Sequence, residues 1–280
     1  MSSVRDRGRL RIALLLACAA FIAGCGISGG LSQYPPMREI RASSPPGYLP
    51  PDALPNSVAL LPQPPAPGSA AFALDEEISK QCLALHGTGR WTLAKEDADL
   101  TFPQAAGIFS CALDAPVTEQ DTPRLYVLLR RSLSDVARAT HVAKDRYKRV
   151  RPFVINKRPI CAPDEEKEMA ESGSYPSSHA AVGWAWALIL AEISPGQTDA
   201  ILARGRTYGE SRVVCNEHWQ SDVTEAAFIG AGTVARLHAD KAFLADLEAA
   251  KGELAAVRLK GLRPLRDCAW EAANQATLKQ

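Results

Sequence analysis

The sequence predicts an all-α, single-domain helical bundle, and three observations carry this. The 280 residues are 46% hydrophobic and 22% charged, enough for one globular body with some residues spare for tails. Long alternating Val/Ile/Thr runs, the mark of half-buried strands, are missing, while apolar residues recur at helical spacing from Ser69 onward. Twelve unbroken apolar or small residues, Ala180 to Ala191, are too few to span a bilayer and read as a central core helix.

The elements follow in order. Arg5, Arg7, Arg9 and Arg11 make a basic start, and the apolar stretch from Ile12 to Ala23 is too short for a comfortable span. Residues 1–25 therefore read as a signal peptide. It ends in FIAGC, which resembles the lipobox of bacterial lipoproteins and implies lipidation of Cys25; a soluble export signal with an incidental cysteine is the alternative. Residues 26–49 are a Pro-rich tether, since 11 of the 20 prolines fall within 26–70. Near Val58–Leu61 the chain is expected to lie extended along the surface. Helices are expected over 70–86, with Phe72, Ile78, Cys82 and Leu85 on one face, and over 94–111. Pro123 opens a long helix that Pro152 stops. Residues 161–173 read as a polar loop. Further helices run from Ser177 to before Pro195, over 196–212, over 216–239 and over 240–260. A loose tail is expected after Pro264. The globular domain is placed at 50–250, with 251–280 as helix end and tail.

Removal of residues 1–25 takes away four arginines and one aspartate, leaving 28 basic and 30 acidic residues and a net charge of −2. Such a chain has no support for bulk binding of nucleic acid, so any basic site must be local. Cys18 leaves with the signal. Cys82, Cys111, Cys161, Cys215 and Cys268 remain beside Cys25. An exported chain can pair them, and an odd number leaves a free thiol. No close cysteine pair suggests a zinc site.

Three clusters can carry chemistry. In KDRYKRVRP, Lys144 and Arg151 are seven apart and would share a helix face, although alone this also reads as a solvated basic helix end. In YPSSH, Ser177 or Ser178 can cap a helix whose free N–H groups suit an anion, with His179 in its first turn; alone, His179 also reads as a satisfied core histidine. In SRVVCNEHWQSD, His218 and Asp222 are at i and i+4, one above the other on a helix, so Asp222 can take the Nδ1 proton and leave Nε2 bare. Arg212 adds a fork-shaped cation suited to phosphate oxygens. Glu217 and Trp219 flank His218 and are candidates for its rim. His86, His141 and His238 belong to no motif and read as surface or packing residues.

Taken together, these clusters resemble the three-part signature of the type 2 phosphatidic acid phosphatase superfamily, which also contains vanadate haloperoxidases. Order and internal spacings match. GSYPSSH, GWAWALILAE, DAILARGRTYGESRVVCNEHWQSDV and AKDRYKRVRPF are similar to the class A bacterial non-specific acid phosphatases, over roughly residues 50–250. The resemblance implies an exported, metal-independent, broad-specificity phosphomonoesterase active at acidic pH, with no cofactor. It assigns His218 as nucleophile forming a phosphohistidine, Asp222 as its orienter, and His179 as general acid. Lys144, Arg151, Arg212, Ser177 and the Ser178 backbone would hold phosphate. His218 should be neutral and His179 protonated in the free protein. The implied partners are small phosphomonoesters, not polymeric nucleic acid, with membrane contact through a lipid on Cys25 and a periplasmic location; a homo-oligomer is compatible with the sequence. Ser178 departs from the family, which has glycine there. That keeps open a catalytically impaired phosphate-binding lipoprotein, and a vanadate-dependent haloperoxidase stands further off. A Cys161–Cys215 disulfide is expected, because each cysteine lies beside a motif and motif loops must converge; two free buried thiols are the alternative.

Overall fold

A computed structural model describes residues 46–275. The signal segment, Cys25 and most of the tether lie outside those residues. No strand occurs among the described residues, and none of their helices is long and apolar enough to cross a membrane. The described chain begins fastened to the body. Tyr48 and Leu49 donate their N–H groups to the buried Asp135 at 2.7 and 3.2 Å. The Arg131 guanidinium covers the Tyr48 ring at 3.7 Å.

Capping side chains explain most helix starts. Asn56 accepts from Val58 and Ala59 and closes one turn, α1 (Ser57–Leu60), where extended chain was expected. Ser69 caps α2 (Ala70–Leu83) and Thr88 caps α3 (Gly89–Glu96). The single helix expected over 94–111 is divided. Asp99 turns the chain by accepting the Thr101 N–H at 2.8 Å, and Pro103 cannot extend a helix. A 3-10 stretch (Gln104–Phe109) and α4 (Ser110–Leu113) follow. The long helix expected from Pro123 to Pro152 is also broken. It ends as α5 (Pro123–Ala139) at Thr140, whose hydroxyl donates to Ala137 O at 2.7 Å. The next helix, α6 (His141–Tyr147), stops at Lys148 in left-handed conformation, φ 44°. Pro152 then opens α7 (Pro152–Asn156) rather than stopping a helix, because a fixed φ and a missing N–H suit the first position. Within 161–173, expected as loop, Pro163 and the acids after it support a 3-10 turn and α8 (Glu166–Glu171).

The centre is α9 (Ser178–Ile193), capped by Ser177. Ala181, Val182, Ala185, Trp186, Ile189 and Leu190 are fully buried there. It is surrounded by α5, α10 (Thr198–Val214), α11 (Gln220–Leu237) and α12 (Lys241–Leu259). Trp186 donates its indole N–H to Leu129 O and Ser132 Oγ, at 3.1 and 3.2 Å, and so buries without leaving a donor unpaired. Close approach rests on glycine. A Cβ on Gly183 would stand 2.1 Å from the Tyr208 ring, and one on Gly230 would stand 2.6 Å from Ala181 O. The expected loose tail instead contains α13 (Cys268–Asn274), tied to α4 by a Cys111–Cys268 disulfide. This packing brings the start of α9, the end of α10 and the start of α11 to one end of the bundle.

Gly230→Ala should lower unfolding stability by about 1–3 kcal/mol, because the methyl meets backbone that cannot swing away. Gly252→Ala, in α12 with open space around it, should raise stability by about 0.5–1 kcal/mol. Denaturant titration of both variants checks the pair, and equal or reversed effects would contradict the packing described.

Candidate active site

Each functional side chain arrives on a segment end. His218 lies just before the cap residue of α11, not on a helix with Asp222 as the spacing suggested. Trp219 is the cap residue, and Asp222 in the first turn accepts the Trp219 N–H at 2.9 Å. The two still meet, His218 Nδ1 to Asp222 Oδ2 at 3.4 Å, because a capping turn folds the chain back. Ser174, which the sequence reading did not single out, bridges them. Its hydroxyl donates to Asp222 Oδ2 and lies 3.4 Å from His218 Nδ1.

Arg151 also differs from expectation. It does not share a helix face with Lys144, because the chain leaves α6 at Lys148; it precedes α7 in extended conformation. From there NH1 reaches His218 Nε2 at 2.9 Å and Glu217 O at 3.0 Å, while Nε donates to Met169 O at 2.8 Å. A guanidinium can only donate, so Nε2 is the accepting nitrogen and the ring proton is on Nδ1, toward Asp222. Lys144 Nζ donates to Gly173 O at 2.9 Å. Arg212, fully buried at the end of α10, donates to Glu217 Oε2 at 2.8 Å and Ala94 O at 2.7 Å. Its Nε is buried with no partner among the described residues. Glu217 and Trp219, candidates for the rim, are buried instead: one is paired to Arg212, and the other donates to Val150 O at 2.8 Å.

Ser177 accepts the Ala180 N–H at 3.2 Å as the α9 cap. Ser178 occupies the first helical position with ordinary negative φ, so no glycine is required there. Its hydroxyl is 2.7 Å from Thr140 Oγ1. The Thr140 hydrogen goes to Ala137 O, so Ser178 is the donor and its hydroxyl is held by the residue between α5 and α6. The N–H groups of Ser178 and His179 open the helix. His179 Nε2 meets Ala98 O at 3.0 Å and lines a cavity of about 500 Å³ with Lys95, Asp99, Thr101, Pro163 and Asp164.

The electrostatics are those of cations crowded into a dry site. Burial, then Arg151, push His218 well below the ordinary histidine range, so it is neutral. Burial pushes Asp222 up, but His218, Arg149 and Ser174 outweigh this and hold it below the usual carboxylate range. Burial, then Arg151, lower Lys144 well below its usual value, and burial brings Arg151 down to about 10. The expectation of a protonated His179 in the free protein is not met. Burial, Arg212, Arg151 and Lys144 push it down to about 3 against the pull of Ala98 O.

A Cys161–Cys215 disulfide, Cα–Cα 4.9 Å, joins the 161–173 segment to the end of α10, and Cys82 is a free buried thiol. Cys161, Cys215 and Glu217 converge as a metal site would, but the two sulfurs are bonded to each other and Glu217 is taken by Arg212. His86 packs on Trp91 and His238 pairs with Glu192.

Residues 125–243 of this all-α bundle match the family model of the PAP2 superfamily. The relatives narrow it. A non-specific acid phosphatase of Providencia stuartii is 39% identical over 242 residues, 86% of this chain and 98% of that one. An acid phosphatase of Zymomonas mobilis is 38% identical over 208 residues, 73% and 77% of the two chains. A non-specific acid phosphatase of Salmonella typhimurium is 38% identical over 200 residues, 71% and 80%. The chain belongs to the class A bacterial non-specific acid phosphatases and is an acid phosphatase.

Ser178→Ala and Thr140→Val should each lower stability by about 1 kcal/mol, and the double variant should lose less than the sum. Inhibition by inorganic phosphate should change less than about threefold in Ser178→Ala. A strong loss of phosphate inhibition would show that the hydroxyl serves the pocket after all.

Proposed function

We propose that this phosphatase is an exported, metal-independent, broad-specificity phosphomonoesterase that works through a phosphohistidine on His218 at acidic pH. The observation that carries this is the 2.9 Å contact of Arg151 with His218 Nε2. It combines a neutral, oriented imidazole lone pair with a cation suited to hold the electrophile beside it. Substrate phosphate enters among Lys144, Arg151 and Arg212 and takes over Arg151, which uncovers the lone pair. Arg212 Nε, Ser177 Oγ–H and the Ser178 N–H are the further donors. Nε2 attacks phosphorus, the P–O bond to the alcohol breaks, and the proton on Nδ1 stays against Asp222, which steadies the imidazolium. The three cations and the helix N–H groups bear the charge on the equatorial oxygens, the work a metal does elsewhere.

The leaving alcohol lies in the 500 Å³ cavity beside His179. His179 is neutral in the free protein because burial, and then the cations Arg212, Arg151 and Lys144, oppose a proton there. A phosphate dianion offsets those cations and raises its affinity for a proton, so the acid is loaded in the complex. His179 then protonates the leaving oxygen and afterwards takes a proton from the attacking water, which returns His218 to the free state. The basic signal-like start and FIAGC support export and lipidation at Cys25, and two disulfides suit an oxidising periplasm. The impaired-lipoprotein reading rested on Ser178, whose hydroxyl turns to Thr140.

His218→Asn should abolish turnover of p-nitrophenyl phosphate while leaving phosphate binding within about threefold, and wild-type activity should survive chelator unchanged. Retention of more than a few per cent of activity in the variant would overturn the nucleophile assignment. The basic limb of kcat, which reports the complex, should lie at higher pH than that of kcat/KM, which reports the free protein, and His179→Ala should remove it. Coincident limbs would contradict loading of His179 by the bound dianion.

A further inference from the structure

The carboxylate behind His218 is itself held from behind. Asp222 Oδ1 accepts from Arg149 NH1 at 2.6 Å. The NH2 of the same guanidinium donates to Asp75 Oδ2 at 2.7 Å. Asp75, on α2, also accepts the Ser221 N–H at 2.8 Å and the Ser221 hydroxyl at 2.5 Å, and Ser221 Oγ in turn accepts from Arg149 at 2.7 Å. Asp75, Arg149 and Asp222 are 2%, 9% and 0% exposed. Phe72 and Trp219 flank the guanidinium, with ring centroids 5.7 and 5.6 Å from its central carbon. The result is a buried line of alternating charge, Asp75–Arg149–Asp222, that ends on the imidazole.

Such a line does more than join helices. Burying charged groups is costly, and a pair of apolar side chains would fill the same space with less penalty. A cation alone behind Asp222 would draw its electron density away from His218. A second carboxylate on the far side of that cation restores part of it. We propose that Arg149 and Asp75 are positioning residues for the reaction: Arg149 fixes the Asp222 carboxylate, and Asp75 sets how much of the Arg149 charge Asp222 feels, and so how well Asp222 supports the imidazolium formed at His218. This rests on the reading of His218 as nucleophile. Lys144 and Arg151 face His218 from the phosphate side; Asp222 and Ser174 face it from the other. Those groups are common to every variant below.

The test is the acid limb of kcat/KM in purified full-length protein, with p-nitrophenyl phosphate as substrate. Arg149→Met removes the cation, so Asp222 and His218 hold protons more readily and the limb moves to higher pH. Asp75→Asn leaves the Arg149 charge uncompensated, so His218 holds its proton less and the limb moves to lower pH. Shifts of about half a unit or more are expected, with kcat down by about ten- to a hundredfold in each. The inhibition constant of inorganic phosphate should stay within about threefold, because neither side chain reaches phosphate. Arg149→Lys keeps the charge but not the fork, so the limb stays near wild type while kcat falls. If Arg149→Met does not fold, Arg149→Lys and Asp75→Asn decide alone. Limbs unmoved or moved in the same direction in the two charge-changing variants, an Asp75→Asn limb at or above the wild-type value, or phosphate binding lost in step with kcat, would overturn the proposal. Activity surviving in His218→Asn would instead defeat the nucleophile reading.

Discussion

The Asp222 carboxylate is the point on which the site depends. It is fully buried, and its oxygens are claimed by Arg149, Ser174, the Trp219 N–H and the His218 ring. Its backbone carbonyl accepts the Ser177 N–H at 3.0 Å, which locks the start of α9 to the start of α11. A buried anion is tolerated only when its lone pairs are filled, so the groups that fill them are fixed as firmly as the core. Those groups come from the 149–151 segment, the 172–177 segment and the α11 start. One interaction therefore sets the register of the segments that carry Arg151, the helix opening at Ser178, and His218.

Around this anion the fold crowds cations. Burial lowers the proton affinities of Lys144, Arg151 and His179, and neighbouring cations add to the effect at Lys144 and His179. Backbone carbonyls make the crowding bearable: Gly173 for Lys144, Met169 and Glu217 for Arg151, Ala94 for Arg212. Gly173 is required for one of these, since a Cβ there would stand 2.5 Å from Lys144 O. Because the carbonyls hold the cations before any ligand arrives, little rearrangement is needed when an anion enters.

Much of this was legible in the sequence. Ser177, Pro123 and the apolar run of α9 announce their helices through capping, a missing N–H and burial. The spacings from Lys144 to Arg151 and from His218 to Asp222 were read correctly as neighbours but with the wrong geometry. A left-handed lysine at 148 has no propensity signal, and a capping turn brings i and i+3 or i+4 together as a helix does. Asp75 looks like a surface acid within DEE, and Arg149 like one more residue of a basic run. Their burial is decided by segments 74 and 73 positions from their partners, Arg149 and Asp222. The Cys111–Cys268 bridge spans 157 residues and leaves no local trace.

The central claim is a covalent phosphoryl bond on His218 Nε2, and it can be observed directly. Protein mixed with excess substrate labelled in its phosphoryl group, stopped in alkali within milliseconds, would preserve an N–P bond that acid destroys. The account predicts alkali-stable, acid-labile label on the peptide that contains His218, appearing and decaying at least as fast as kcat. Label on any other residue, or none at any time while product is released, would contradict it.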